Sequence, residues 1–252
     1  MKVLTYNIHG GVGRDGRRNY ARIGQLLRKF QVDIALLQEL DTRPFDLHPE
    51  KALHDLMNGH FQWIVPAPTL MTCRGWYGNA ILSRFPVTRR IITDISTTGH
   101  EPRNILEAFL NTPLGPLHVV NTHKGLNPFE RGRQIRKLNE LLARRTEIPL
   151  FVGGDFNEWQ IFAAALRQLN EALYPVRTGA TFPISLPFLR LDRMWCRPRN
   201  LVRRASVLKN AETRLYSDHL PILAEIDRRG MQTERLPSTW NDQGELSTRY
   251  EY

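Results

Sequence analysis

The chain is poor in cysteine, has no long apolar run and has no low-complexity tract, and each absence removes a class of protein. Only Cys73 and Cys196 carry thiols among 252 residues, too few for a disulfide framework and without the CxxC spacing of a zinc site. A reducing, cytoplasmic setting is expected from that usage. No stretch of about 18 apolar residues occurs, so no membrane-spanning helix is expected. The opening segment, MKVLTYNIHGG, passes directly into a strand-like pattern with no apolar leader core, and secretion is not expected either. No internal repeat interrupts the picture of an ordinary folded chain.

What is present is enzyme-like in composition. Hydrophobic residues make up 41%, charged residues 24% and aromatic residues 9%, all near the values of soluble globular proteins. The length lies at the upper edge of a single domain. The formal charge is +10, from 35 Lys+Arg against 25 Asp+Glu, and a basic surface gathers polyanions through its long-range field. Nucleic acid, acidic lipid headgroups and inositol phosphates all satisfy that requirement. The basic residues are spread along the chain rather than gathered in one tract.

Val3 to His9 reads as a strand that runs into a glycine-rich loop. Tyr20, Ile23, Leu26, Leu27 and Phe30 then recur at helical spacing. Asp33 to Glu39 is a short apolar run that suits a buried strand and ends in a carboxylate. A loop-rich stretch with several prolines follows, and then strands are expected over 78–83, 107–111 and 117–122. Phe129 to Arg145 forms a basic amphipathic helix, 149–153 a strand, and Glu158 to Asn170 a helix with an alanine-rich face. Strands over 191–196, 202–208 and 222–226 complete the pattern. Many strands, few helices and no linker-like break before residue 227 predict one catalytic domain over 1–227. Residues 228–252 are polar and aperiodic and are expected to form a surface-draped or poorly ordered tail.

Polar residues recur where the expected strands end: Asn7, Glu39, His123, Asp155, Asn157, Asp192, Asp218 and His219. Strand ends converge at one rim of a sheet, so groups far apart in sequence can share a site there. Glu39, Asp155 and Asp218 are hard oxygen donors that would repel one another unless a cation such as Mg²⁺ or Mn²⁺ lay between them. Hydrolysis of a phosphate ester needs stabilised nonbridging oxygens, an activated water and a stabilised leaving oxygen, and a metal, a base and an acid supply these. Any one of these residues alone is as well explained as a turn or capping residue. Their combination carries the inference.

The segments TYNIHGG, LLQEL, GNAILSR, NTHKG, GGDFN, RLDR and SDHLP occur in the order of the motifs of the endonuclease/exonuclease/phosphatase family, the DNase I-like superfamily. The resemblance covers about residues 1 to 227, is closest to small bacterial members of uncertain substrate, and is most specific in GGDFN and SDHLP. It implies an α/β (α+β) four-layered sandwich, two mixed β-sheets packed face to face with helices outside. It also implies a Mg²⁺ cofactor, with Mn²⁺ as substitute, at Asn7, Glu39 and Asp218, Glu39 being the principal ligand. Asp155 would orient or deprotonate the attacking water, Asn157 would bond the phosphate or the nucleophile, and His219 would contact the phosphate or act as base, paired with Asp192. Either Asp155 or His219 can be the base.

His123, in NTHKG, distinguishes branches of that family. The abasic-site branch carries tyrosine in the corresponding region, whereas DNase I-like, sphingomyelinase-like and phosphoinositide-phosphatase-like members carry histidine. Asn79 of GNAILSR and Arg103 are the expected substrate contacts. The resemblance implies a monomeric metal-dependent phosphodiesterase with an anionic phosphoester substrate. Nucleic acid is favoured over a membrane-lipid headgroup or inositol phosphate, and a non-catalytic binding protein on the same fold is the remaining alternative.

Overall fold

Residues 34–37 read Ile-Ala-Leu-Leu, apolar on both faces of an extended chain, so this strand needs cover on two sides. The computed structural model, which describes residues 1–44, 48–143, 147–160 and 164–231, supplies that cover. One mixed sheet contains β1 (Lys2–Asn7), β2 (Ile34–Asp41), β3 (Trp63–Thr72), β4 (Gly75–Ser83), β11 (Val202–Val207) and β12 (Ile222–Ile226), in the order β11-β12-β1-β2-β4-β3. The other contains β5 (Val87–Asp94), β6 (Asn104–Thr112), β7 (Gly115–His123), β8 (Leu150–Asp155), β9 (Tyr174–Val176) and β10 (Asp192–Arg197), in the order β5-β6-β7-β8-β10-β9.

The alternation along each strand assigns its residues to layers. Leu36 packs with Val3, Ile34 and Ile81 against Leu106, Val119 and Phe151 of the other sheet. Its neighbours Ala35 and Leu37 join Leu4 and Tyr6 beneath α1 (Tyr20–Lys29) and α2 (Pro49–Met57). On the far side, Val120, Val152 and Trp195 pack under α3 (Pro128–Leu142) and α4 (Ala164–Ala172). The succession helix, sheet, sheet, helix is the four-layered sandwich that the resemblance implied. Two short helices, α5 (Thr213–Tyr216) and α6 (Arg228–Met231), and a 3-10 turn at His9–Gly11 complete the described elements.

Several boundaries differ from the sequence expectation. The proline-containing stretch expected to be loop contains α2 and β3, and Pro66 and Pro68 lie within β3. That strand is the outermost of its sheet, where a missing N–H costs no ladder bond if it faces outward. The helix expected from Glu158 is assigned only from Ala164, with 161–163 outside the described residues. Asn157 takes a left-handed φ of 49° and the Glu158 carboxylate turns back to Arg131, so the chain leaves β8 without entering a helix at once. Arg228 to Met231, the start of the expected tail, form α6, and Met231 joins the intersheet core. The remainder of that segment, 232–252, lies outside the described residues, as do 144–146 at the end of the helix expected over 129–145.

The intersheet layer is not wholly apolar. Gln38 Nε2 donates to Asn121 Oδ1 at 2.7 Å, and Asn121 Nδ2 donates to the carbonyls of Leu37 at 2.8 Å and Ala80 at 2.9 Å. These buried amides cross from one sheet to the other, and their bonds satisfy groups that would otherwise be desolvated at a cost of about 1–3 kcal/mol each.

Candidate active site

Strand direction brings the polar residues together. β1 and β2 run parallel with Asn7 beside Gln38, and β7 and β8 run parallel with His123 beside Asp155. β10 runs antiparallel to β8 and begins with Asp192 opposite Asp155. The carboxyl ends of four strands and the amino end of a fifth therefore share one rim. Ser217, Asp218 and His219 arrive there from the loop before β12, which lies antiparallel to β1.

Two backbone departures aim the side chains. The β2–β4 ladder slips between Leu37 and Leu40, and Glu39 within that bulge has a φ of 57°. A bulge of this kind reorients a single side chain without disturbing the rest of the strand. In β8, Gly154 has a φ of 155°, and a Cβ there would lie 2.0 Å from the Thr122 carbonyl oxygen. Only glycine allows β7 and β8 to approach so closely just before Asp155.

At the centre, Asn7 Nδ2 donates to Glu39 Oε1 at 2.7 Å and to Asp155 Oδ2 at 3.0 Å. His219 Nδ1 lies 2.8 Å from Asp192 Oδ2, and its Nε2 lies 3.7 Å from Asp155 Oδ2. The His219 backbone N–H donates to Ser217 Oγ at 3.2 Å, and that hydroxyl donates to the Asn7 carbonyl at 2.8 Å. The ring of Phe182 stands 4.8 Å from the His219 ring. Asn157 donates its backbone N–H to Asp155 Oδ1 at 2.9 Å. Its Nδ2 donates to the Lys124 carbonyl at 2.9 Å and lies 3.2 Å from His123 Nε2. The bond to the carbonyl fixes the amide orientation, so His123 Nε2 is the acceptor and the ring proton resides on Nδ1.

Burial and charge separate the titrating groups. Burial pulls His219 down, but the Asp192 and Asp155 carboxylates outweigh it and raise the imidazole to about 10. Burial lifts Asp155 to about 6, against the opposing field of His219. His123 is driven down to about 3 by burial and by the nearby Arg103 guanidinium. For Glu39 burial acts upward, yet the neighbouring His9 imidazole, the field of His123 and the bond from Asn7 bring the carboxyl down to about 2. A charged histidine, a neutral histidine, a charged carboxylate and a carboxylate near its titration point thus occupy one rim.

Asn7, Glu39, His123, Asp155, Asn157, Asp192, Asp218 and His219 all lie in or beside this network. The donor atoms of Asp155, Asp192 and His219 lie within 4.8 Å of one another, close enough to hold an ion. Asn79 and Arg103 are placed differently. Asn79 Nδ2 donates to Asn104 Oδ1 at 2.9 Å, between the sheets, and Arg103 makes a two-pronged pair with Glu101 at 2.8 and 3.0 Å. Arg103 reaches the site through its field on His123.

Residues not singled out from sequence also appear. His9, exposed and with a φ of 47°, sets Nδ1 3.6 Å from Glu39 Oε2 and 3.7 Å from Asp218 Oδ1. Its position two residues after Asn7 was the available signal. Lys124 is fully buried, lies 5.9 Å from the Phe156 ring centre, and is lowered to about 7 by desolvation.

A sandwich of this layering with clustered acids, amides and histidines at one rim defines a class, and the chain belongs to the Endonuclease/Exonuclease/phosphatase family, whose model matches residues 4–219. Most members of that family are hydrolases acting on phosphoesters. The uncharacterized protein YbhP of Escherichia coli (strain K12) is 30% identical over 246 residues, covering 90% of this chain and 96% of that protein. A family protein from Bacteroides thetaiotaomicron is similar in structure, with a TM-score of 0.73 at 20% identity over 89% of this chain and 96% of that one. A mannosyl-6-phosphatase from Bacteroides thetaiotaomicron VPI-5482 gives a TM-score of 0.71 at 18% identity over 90% of this chain and 99% of that one. Among the described residues no helix is long and apolar enough to cross a membrane.

Proposed function

We propose that the chain is a divalent-metal-dependent phosphoester hydrolase acting on diesters. The observation that carries this reading is the pairing of His219 with Asp192 at 2.8 Å beside Asp155 at 3.7 Å, a cation held against a carboxylate at the wall of an acidic rim. Charged at neutral pH, His219 is suited to bind a nonbridging phosphate oxygen and unsuited to accept a proton. Asp155, lifted to about 6, is then the base of the pair. As water attacks phosphorus, its proton passes to Asp155 while the bond to the leaving oxygen breaks. The Asn157 N–H at 2.9 Å from Asp155 Oδ1 holds the carboxylate in place during that transfer. His123, neutral with Nε2 accepting from Asn157, lies 3.6 Å from Asp155 Oδ2 and supports the Asn157 amide without adding charge.

The donor chemistry fits a hard cation. Glu39 is ionised throughout the neutral range, and Asp218 lies across His9 from it, so Glu39 and Asp218 with Asn7 would hold Mg²⁺, or Mn²⁺ in its place. We assign Asp155 to proton transfer and the Asp192–His219 pair to phosphate binding rather than any of the three to the ion, because Asp192 already occupies His219 Nδ1. A bound divalent ion would neutralise charge gathering on the phosphoryl oxygens.

The test is hydrolysis of bis-p-nitrophenyl phosphate and p-nitrophenyl phosphate with Mg²⁺, with Mn²⁺ and with chelator, alongside cation-induced change in thermal stability. Metal-dependent turnover with the diester preferred is expected. Turnover that survives chelation, or its absence with both esters under every condition, would overturn the proposal.

A further inference from the structure

The rim carries more exposed apolar surface than a soluble phosphate would require. Leu126 and Phe129 follow β7, Trp159 follows β8, and Leu186 and Phe188 precede β10, and all five are exposed. β7, β8 and β10 are adjacent in the sheet, and the three connections leave it at the edge that bears His123, Asp155 and Asp192. Arg131 and Arg193 knit them together. The Arg131 guanidinium stands 4.2 Å from the Trp159 ring and bonds Glu158 and the Leu126 carbonyl, and Arg193 Nη2 donates to the Glu158 carbonyl at 2.9 Å.

The third connection is a small hairpin. Phe182 bridges Leu189 at its base, Phe188 donates its N–H to the Phe182 carbonyl beside them, and Leu186 lies toward the tip. Phe129 is 87% exposed and Leu186 76%. Side chains of this size standing in water mark a surface that is covered in use. Phe182, at the base, lies 4.8 Å from the His219 ring, so whatever covers the tip is brought next to the reacting phosphate.

Charge gives the partner's sign. Across 124–140, 157–160 and 181–193 the acidic residues Glu130, Glu158 and Asp192 are buried and the exposed Glu140 is paired with Lys137 at 3.3 Å, while Arg133, Arg136 and Arg190 are exposed. Arg133 follows Phe129 by one helical turn on α3, so cation and apolar side chain share a face. Apolar tips ringed by arginine match a bilayer carrying anionic lipid, in which the tips enter the acyl boundary and the guanidinium groups meet phosphate. Single-stranded nucleic acid is the poorer match. It relies on flat aromatic faces; leucine has none, and Arg131 covers one face of Trp159.

We propose that this rim docks on bilayers containing anionic phospholipid and that the site takes its phosphoester from a lipid headgroup at that surface. The substrate half of this proposal rests on the phosphoester-hydrolase reading; the docking half does not. Flotation of the full chain with vesicles of phosphatidylcholine, alone or mixed with phosphatidylglycerol, tests docking. The wild type should float with the mixed vesicles and detach in high salt. Phe129→Ser, and Leu186→Ser with Phe188→Ser, should lower partitioning by about tenfold for each side chain removed from the bilayer. Turnover of bis-p-nitrophenyl phosphate should stay unchanged in these variants, while release of headgroup phosphoester from vesicles falls with partitioning. No flotation of the wild type, or equal flotation of wild type and variants, overturns docking. Binding and cleavage of DNA or RNA that these variants lose would make the rim a nucleic-acid face and overturn it as well. Docking without turnover of any phosphoester would refute the hydrolase reading and the substrate half while leaving docking intact.

Discussion

The two sides of the rim are built on opposite principles. Glu39, Asp218 and His9 face solvent in part, whereas Asp155, Asp192, His123 and His219 are buried. The wetter side suits a strongly hydrated cation, which must exchange its water and enter from solution. The dry side suits proton handling, since pKa values move furthest where water cannot screen them. Asp218 and His219 are neighbours in sequence, yet one side chain serves each side. On the proposed assignment, one loop would divide metal holding from phosphate binding by a single reversal of direction.

The sharpest way to break this comparison is by substitution on each side. Asp155→Asn and His219→Asn should lower kcat/KM on a diester by about 10²–10⁴-fold, the range for a positioned acid or base, while leaving the cation-induced rise in melting temperature intact. Glu39→Gln should also reduce turnover but abolish that rise. If all three variants behave alike in the thermal measurement, the division between the sides is wrong.

A smaller effect is expected at the backbone that supports the dry side. Gly154→Ala should destabilise the fold by about 2–4 kcal/mol in urea unfolding, because overpacking adds to a strained φ. An effect within about 0.5 kcal/mol, the scale of an ordinary surface substitution, would mean that β7 can retreat from β8.

The smallest is a pH dependence. His219 is raised from 6.5 to about 10 in the folded state, so the imidazolium contributes stability that is complete below pH 6.5 and is lost as the pH rises through 10. In chelator, unfolding free energy should therefore decline across that window in the wild type, and Asp192→Asn should flatten the decline. An unchanged slope in the variant would remove Asp192 as the cause of the shift.

Much of this placement was legible in the sequence because polar groups gather where the strands end. Asn7, Glu39, Asp155 and Asp192 each end or begin a recognisable apolar run, and the order of the motifs supplied what spacing alone could not. Other features were hidden for physical reasons. The bulge at Glu39 depends on β4 keeping a different register, which the sequence of β2 does not encode. β3 was missed because prolines argue against a strand unless its edge position is known, and β5, an outer strand, because Arg89-Arg90 and Ile91-Ile92 come in pairs and break the alternation of a strand. His9 resembles any loop histidine until Glu39 and Asp218 are placed beside it. The exposure of Phe129 agrees with helical spacing, which places it opposite Ile135, Leu138 and Leu142 on α3.

The amides that join the sheets have a consequence for how this sequence can change. Gln38 and Asn121 meet across the interface directly beneath Asn7 and Glu39, and three hydrogen bonds cross there between layers. Replacing Gln38 with an apolar residue would leave Asn121 Oδ1 without this donor, whereas replacing Asn121 would take a donor from the Leu37 and Ala80 carbonyls while Gln38 Nε2 keeps its bonds to Thr5 Oγ1 and the Leu36 carbonyl. The relative placement of the two halves of the rim therefore leans on Asn121, whose side chain bonds β2 and β4 from the opposite sheet.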